Sequence, residues 1–215
     1  MKAWLLRYWR TLVLLALVTL GVVLLLTNPL PPERLLVTGK RLAHDPAALA
    51  LIVAGMALFY ALALPGSAFF WLIAPFQPPW IAVPLLVTGS VGGAVGGYGL
   101  ARYLGRDWVT GERSRRILDV LQHRGDTLTQ FAFRVLPGFP HSVLNFGAGA
   151  VGLPLFGYVL AAALGLGIKW SIYAGAVHGA VEALEAGERP GAATLAPLAV
   201  LAVLVLAGVA LRRRF

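Results

Sequence analysis

The chain has 215 residues, of which 59% are hydrophobic and only 13% are charged. Soluble domains average about 25% charged residues, so this composition excludes an ordinary cytosolic enzyme and also a disordered chain. The absence of cysteine excludes disulfides and thiolate metal sites. We assign the net charge of +9 to basic loops that orient a membrane protein. Nucleic-acid binding is not expected, because no basic stripe is interleaved with exposed aromatic residues.

Residues 1–30 are predicted to form an N-terminal transmembrane helix. The apolar run from Leu12 to Leu26 follows a basic start, and no small-residue cleavage site comes after it, so we interpret it as a retained span and not as a signal peptide. Residues 31–46 mix acidic and basic side chains. They are predicted to form an external loop or a short surface helix.

An interrupted apolar segment and a full-length span follow. Pro65 and Gly66 divide residues 47–76 into two halves, neither of which comfortably spans a bilayer. We therefore predict a re-entrant hairpin, whose irregular backbone must be buried in protein or line a wet cavity. Residues 80–103 are predicted to span the membrane as a helix. One face of that helix carries small residues, which either permit close helix packing or form a lipid groove: Gly89, Gly93 and Gly97.

The same order of elements occurs a second time. Residues 105–130 are predicted to form a cytoplasmic amphipathic segment, followed by a second interrupted hairpin over 131–150 and a span over 152–178. Residues 191–215 are predicted to form the C-terminal transmembrane helix and a basic tail. The proposed break in the second hairpin lies at Pro137, Gly138 and Pro140.

Charge orients these elements. Basic residues concentrate at both termini and in the 105–130 segment, which places all three in the cytoplasm, whereas the acidic segment 182–190 faces outward. With this orientation the two hairpin-plus-span units have opposite senses. The predicted fold is therefore an all-α membrane protein of two inverted re-entrant hairpin-plus-helix units, flanked by N- and C-terminal transmembrane helices. Paired interrupted segments of this kind indicate a transporter with its site near the midplane.

Arg134 is the candidate that the residues themselves favour most. It is the single basic residue in the second apolar hairpin, and a charge there costs several kcal/mol unless it is compensated, with no nearby carboxylate in the sequence. Its planar guanidinium suits phosphate oxygens. The alternatives are that Arg134 snorkels to the interface or caps the carbonyls of a broken helix.

The other candidate substrate-binding residues each keep a structural alternative. The breaks at Pro137, Gly138, Pro140, Pro65 and Gly66 either expose N–H groups that attract anions or only bend the chain. Of two histidines near helix ends, His178 is expected to pack or lie at the interface, and only His141 is placed to act on a substrate. Asn145 binds either substrate or unwound backbone, and Lys169 is expected to be an interface anchor. Two more basic residues either guide a phosphate or anchor a span at the cytoplasmic side: Arg102 and Arg106.

Two segments resemble the DedA superfamily, also called VTT-domain or SNARE-associated Golgi proteins. The first is the glycine-rich run from Gly89 to Arg106, and the second combines Arg134-Val-Leu-Pro137 with Asn145 to Gly149. Pro140 and Asn145 are more similar to the VTT-like branch. The resemblance covers roughly residues 47–178. It implies two opposed re-entrant hairpins and lipid translocation, with undecaprenyl phosphate or phospholipids as substrates, in a bacterial inner membrane.

The chain departs from the DedA pattern at the first hairpin, where acidic residues are usual and none is present. All nine carboxylates lie in predicted loops, which argues against proton coupling through a buried carboxylate. We expect a lipid flippase or scramblase that is not an enzyme, has no cofactor and no metal, and binds the phosphate headgroups of membrane lipids. A homo-oligomer is left open. The alternatives are a non-transporting scaffold or assembly protein and, remotely, an intramembrane serine protease using Ser67 and His178.

Overall fold

A computed structural model describes most of the chain between residues 32 and 206. The described residues are 32–104, 118–123, 125–136, 141–187, 191–192, 195–197, 199–200, 202–203 and 206. Every regular element within them is helical. Several predictions fall outside them, namely the first span over 1–30, most of the last helix over 191–215, and the candidates Arg106, Pro137, Gly138 and Pro140.

The chain divides into two compact units, residues 1–44 and residues 45–215. In the first unit, helix α1 spans Pro32–Ala43 and carries Lys40 and Arg41 in its last turn. Basic side chains there interact favourably with the negative end of the helix dipole. Of the two alternatives for residues 31–46, the structure has the short helix. The side of the membrane on which it lies stays a prediction.

The second unit opens with a capped helix, α2, which spans Pro46–Ala61. The Asp45 carboxylate accepts a hydrogen bond from the Ala47 N–H at 2.9 Å, which satisfies one of the free donors at a helix start. Proline is favourable at position 46, because the N–H groups of the first helical turn have no carbonyl partner within the helix and proline lacks this group. The sequence therefore starts α2 at the place where the apolar run begins.

The predicted interruption of the first apolar segment is present. After α2 the chain breaks at residues 62–65 and continues as a 3₁₀ helix over Gly66–Phe69 and a short helix α3 over Phe70–Ile73. Only glycine fits at Gly66, because a Cβ there would lie 2.6 Å from the Tyr60 ring. The bend is thus fixed by packing of the turn against the last turn of α2.

The glycine-rich span is the long helix α4, over Pro79–Leu104. Its small residues face α2, since a Cβ at Gly93 would collide with Tyr60 and would lie 2.5 Å from the Ala57 carbonyl oxygen. A Cβ at Gly97 would lie 3.3 Å from the Phe146 ring. The glycine face therefore packs against neighbouring helices, the first of the two alternatives given for it.

The second half of the core contains shorter helices followed by a long one. A helical stretch over 118–123 precedes α5 over Thr127–Val135, then α6 over His141–Val151 and the long helix α7 over Leu155–Ala186. Asp126 caps α5 by accepting from the Thr129 N–H at 2.9 Å. Gly187, with a φ of 67°, ends α7 in the left-handed conformation.

Two boundaries differ from the predicted ones by four residues or more. The first helix of the second interrupted segment begins at Thr127 and not at residue 131, because the Asp126 cap starts it earlier. Helix α7 continues to Ala186, eight residues beyond the predicted end at 178. Consequently Glu182 and Glu185 lie in a helix and not in a loop, although both are exposed.

Helices α4 and α7 are each long and apolar enough to cross a membrane, with mean hydropathies of 1.5 and 1.6. They pack against each other in an apolar core that includes Leu86 and Trp170. The Trp170 indole N–H donates to Ser90 Oγ at 2.9 Å, and its ring stacks on Phe70 with centroids 5.4 Å apart. A hydrogen bond between two buried polar groups thus ties the two long helices together.

Candidate functional site

Arg134 lies in the last turn of α5 and is buried, with 2% of its surface exposed. Its guanidinium Nη2 donates to Asn145 Oδ1 of α6 at 3.1 Å. Its central carbon lies 4.9 Å from the ring centroid of Tyr158 on α7, which is the geometry of a cation–π contact. We call Arg134, Asn145 and Tyr158 the arginine cluster.

Tyr158 also connects the cluster to α4. Its hydroxyl oxygen is 2.9 Å from Asn145 Oδ1 and 3.0 Å from the Ala94 carbonyl oxygen. A tyrosine hydroxyl has one proton, so it donates to one of these acceptors at a time. Four helices therefore meet around one cation: α4, α5, α6 and α7.

Small residues let the helices approach at this point. A Cβ at Gly165 on α7 would lie 2.8 Å from the Arg134 Cβ and 3.2 Å from the Phe131 carbonyl oxygen. Glycine is thus required for α7 to pack directly on the backbone of α5. The close contact fixes the stem of Arg134 and directs its head toward Asn145 and Tyr158.

Neutral dipoles surround the Arg134 charge. Among the residues that the structure describes, no carboxylate lies within ion-pair distance of its guanidinium. The five carboxylates whose exposure is described are all exposed, namely Asp45, Asp119, Asp126, Glu182 and Glu185. A buried cation without a counter-ion is costly, and an anionic ligand is one way to compensate it.

The space beside the guanidinium is closed. It is lined by Leu121, Gln130, Arg134, Leu144, Ala148 and Tyr158, and it holds no sphere of the size of water. Gln130 donates through Nε2 to the Gly125 carbonyl oxygen at 2.8 Å, while its buried Oε1 has no partner among the described residues. Any ligand of Arg134 would therefore require the surrounding helices to separate.

A second polar group lies on α6 and α7. Lys169 Nζ is 2.9 Å from His141 Nε2 and lies 5.1 Å from the ring centroid of Trp170. The His141 ring in turn meets Tyr60 of α2 edge to face, with centroids 6.4 Å apart. Lys169 is half-buried and bound to His141, and its expected role as an interface anchor stays a prediction.

The other candidates that the structure describes are not hydrogen-bonded to the arginine cluster. Gly66 is buried beneath Tyr60, and Pro65 is exposed. Arg102 is exposed near the end of α4, where its Nη1 contacts the Tyr98 hydroxyl at 3.4 Å. Since Tyr98 donates to the Leu153 carbonyl oxygen at 2.7 Å, these groups tie α4 to the start of α7.

Sequence reasoning missed Tyr158 and the role of Lys169. Both are polar residues within the apolar span predicted over 152–178, and each is close to a candidate that the sequence did identify. Tyr158 resembled an ordinary aromatic residue of a span. Tyr158 and Lys169 could have been found as polar residues of a predicted span that lie near the polar residues of the second hairpin.

One comparison with known proteins covers the residues of this site. The family model described as the VTT domain matches residues 46–179, a range that contains the arginine cluster, His141 and Lys169. No curated protein and no solved structure matches the chain. The long apolar helices and this match together show that the chain is a membrane protein and belongs to the VTT domain family, the DedA and SNARE-associated Golgi protein family.

Proposed function

We propose that this protein moves an anionic phospholipid, such as undecaprenyl phosphate or a membrane phospholipid, between the two leaflets. The observation that carries the proposal is the buried Arg134 guanidinium, which the described residues surround with neutral dipoles and aromatic rings. Its planar fork of N–H groups matches the oxygens of a phosphate. A lipid phosphate would supply the missing counter-charge, while the acyl or prenyl tail stays in the bilayer.

The proposed architecture is a pair of opposed re-entrant hairpins. The broken α2–α3 segment and the α5–α6 segment, each followed by a long apolar helix, support it. Opening between α5, α6 and α7 would admit the headgroup to Arg134, and the same site would face the two leaflets in turn. We place the protein in a bacterial inner membrane with both termini in the cytoplasm, and we assign it no catalytic residue, cofactor or metal.

Leaflet exchange in proteoliposomes tests the proposal. Purified wild-type protein and Arg134→Ala are reconstituted side by side with labelled undecaprenyl phosphate or labelled phospholipids, and the rate of transfer between leaflets is measured. Arg41→Ala is the matched control, because Arg41 is an exposed arginine of α1. We expect the wild type and Arg41→Ala to exchange the anionic lipid and Arg134→Ala to fall to the rate of empty vesicles.

Two outcomes would contradict the proposal. If folded Arg134→Ala exchanges anionic lipid at the wild-type rate, Arg134 does not carry the headgroup. If the folded wild type exchanges no lipid, with or without a pH or voltage gradient, the scaffold alternative takes its place. Circular dichroism and size-exclusion profiles that match the wild type establish that each variant is folded.

A further inference from the structure

The contact between Lys169 and His141 restricts where their protons are. A nitrogen–nitrogen hydrogen bond of 2.9 Å needs one donor and one acceptor. A charged lysine has three N–H donors and no lone pair, so His141 Nε2 must accept and the ring must be neutral with its proton on Nδ1. That Nδ1 is buried and has no partner among the described residues.

The contact lies where the two halves of the core meet. His141 begins α6, Lys169 comes from α7, and Tyr60 from α2 lies against the histidine ring. Lys169 is further held over the rings of Trp170 and Tyr173, at 5.1 and 5.8 Å from their centroids. We call Lys169 and His141 the lysine–histidine pair.

The electrostatic surroundings of the pair are cationic. The Arg134 charge acts on both His141 and Lys169, and no described carboxylate bonds to either of them. The elements packed around α6 contribute these titratable or charged groups: Tyr60 from α2, Tyr98, Arg102 and Tyr103 from α4, Asp119 and His123 from the helical stretch over 118–123, Arg134 from α5, and Tyr158, Lys169, Tyr173, His178, Glu182 and Glu185 from α7. The carboxylates among them are all exposed, and the side chains that contact the pair are tyrosines and a tryptophan, so an anion is the ligand that this environment favours.

We propose that the lysine–histidine pair is a second phosphate-binding site, distinct from Arg134, that binds its anion together with a proton. When a proton from solution adds to His141 Nε2, both nitrogens become donors and their hydrogen bond is lost. The two cations then repel each other unless an anion lies between them, and a phosphate oxygen accepts from both. Binding of the phosphate and binding of the proton therefore favour each other by linkage.

This proposal deepens the proposed function, because it gives the lipid headgroup a second site and links its binding to pH. It rests on the proposed function only for the lipid source of the phosphate. Binding is measured without transport, so a failure of lipid transfer leaves the site testable. Conversely, if the lysine–histidine pair binds no phosphate, the leaflet-exchange comparison of wild type and Arg134→Ala still tests the proposed function.

Calorimetric titration of the full chain in phosphatidylcholine nanodiscs is the test. The probes are a short-chain phosphatidylglycerol, whose phosphodiester keeps one charge across the range, and inorganic phosphate, which separates a lipid site from a site for the free anion. We expect affinity for the lipid probe to rise about tenfold from pH 7 to pH 5 in the wild type, a range in which Lys169 stays charged. In His141→Gln the affinity should become independent of pH, and in Lys169→Gln it should be weakened at both values.

His178→Gln is the matched control, since His178 is a half-buried histidine of α7 whose described ion pair is with Glu182. It should retain the wild-type dependence on pH. A pH dependence that persists in His141→Gln would overturn the proposal. So would a wild-type protein that binds neither the lipid probe nor inorganic phosphate. Binding of inorganic phosphate alone would support the site and assign it to the free anion.

A second measurement, the NMR spectrum of the histidine ring nitrogens, uses the wild-type protein, and a variant is needed only to assign the signals. The chain has four histidines, so a spectrum of protein labelled with ¹⁵N only in histidine resolves few signals, and His141→Gln identifies the one of interest. At pH 7 without ligand, where Lys169 is charged, we expect the Nδ1–H form of His141. The Nε2–H form would overturn the proposal, because His141 would then be the donor to an uncharged lysine.

Discussion

Arg134 is held by groups that orient its charge without neutralising it. Asn145 accepts one guanidinium N–H at 3.1 Å and the Tyr158 ring lies 4.9 Å beneath the central carbon. An amide dipole and a ring quadrupole stabilise a cation far less than a carboxylate does. The residue is therefore fixed in position and still able to attract an anion.

Substitutions at Tyr158 separate the contributions of its hydroxyl and its ring to stability. Tyr158→Phe keeps the ring beneath Arg134 but removes the hydroxyl that lies between Asn145 and Ala94. We expect the free energy of unfolding to fall by about 1–3 kcal/mol, because the buried hydrogen bond that the hydroxyl donates is lost. Tyr158→Leu also removes the cation–π contact and should be less stable than Tyr158→Phe. Unfolding titrations in SDS measure the order, and equal stability of the three proteins would contradict it.

The sequence identified Arg134 and Asn145, whose contact the structure shows, because a charge and an amide stand out in an apolar hairpin. It did not identify Tyr158, which is 24 residues further along the chain and reaches Arg134 only through the packing of α7 on α5. The same reason explains Lys169, which contacts His141 from 28 residues away. Local sequence patterns contain little information about such contacts between helices.

Among the elements, the glycine face of α4 sets the distance to α2. Gly93→Ala would place a Cβ 2.5 Å from the Ala57 carbonyl oxygen, and backbone there cannot move without shifting the whole helix. We expect a loss of about 1–3 kcal/mol, as for other overpacked sites. Gly99→Ala is the matched control on the same helix, since nothing lies within 4 Å of its added Cβ. Thermal unfolding of both variants measures the difference, and a Gly93→Ala protein as stable as Gly99→Ala would contradict this packing.

The start of α5 depends on the charge of Asp126. Hydrogen bonds from the backbone and side chain of Thr129 hold the pKa of that carboxyl below its usual range. Because the folded-state pKa is depressed, the cap stabilises the protein above the unfolded value of 3.8 and is lost as the pH falls through the folded value. Asp126→Asn keeps an acceptor without titrating, so it should remove this part of the acid dependence.

Unfolding midpoints measured between neutral and acidic pH for the wild type and Asp126→Asn check this cap. The two curves should converge as the Asp126 carboxyl becomes protonated. A difference between them that does not change with pH would show that Asp126 makes no ionised cap.

Element boundaries show how far local patterns reach. The breaks after α2 and α5 and the long helices α4 and α7 follow from the proline, glycine and apolar patterns of the sequence. The early start of α5 comes from the Asp126 side chain. Helix α7 continues through Gly179 and ends only where Gly187 adopts the left-handed conformation. Both corrections depend on capping, a signal that hydrophobic periodicity does not contain.

At the scale of the whole molecule, two broken segments each precede a long apolar helix. The order of elements is visible in the sequence, but the side from which each broken segment enters the membrane is a property of the bilayer. Charge distribution is the sequence signal for it. The opposed orientation of the two halves is accordingly part of the proposal.

The absence of cysteine makes this orientation directly testable. Single cysteines at Ala47 and Trp80, both exposed, mark the two ends of the first broken segment, and cysteines at Leu128 and Leu155 mark the second. An impermeant thiol reagent applied to spheroplasts, whose outer membrane has been opened, should label the first pair of cysteines. The second pair should react only after permeabilisation. Labelling of the two ends of either segment from opposite sides would show a full crossing in place of a hairpin.

Leaflet exchange by Asn145→Asp beside the wild type measures whether the unneutralised charge of Arg134 carries the anionic headgroup. The new carboxylate would lie where Asn145 Oδ1 is now, 3.1 Å from Arg134 Nη2, and would neutralise the guanidinium with almost no change of shape. The account predicts that anionic-lipid exchange falls by about tenfold or more while thermal stability is kept or raised, since the internal ion pair competes with the phosphate. A stable Asn145→Asp protein that exchanges anionic lipid at the wild-type rate would contradict it.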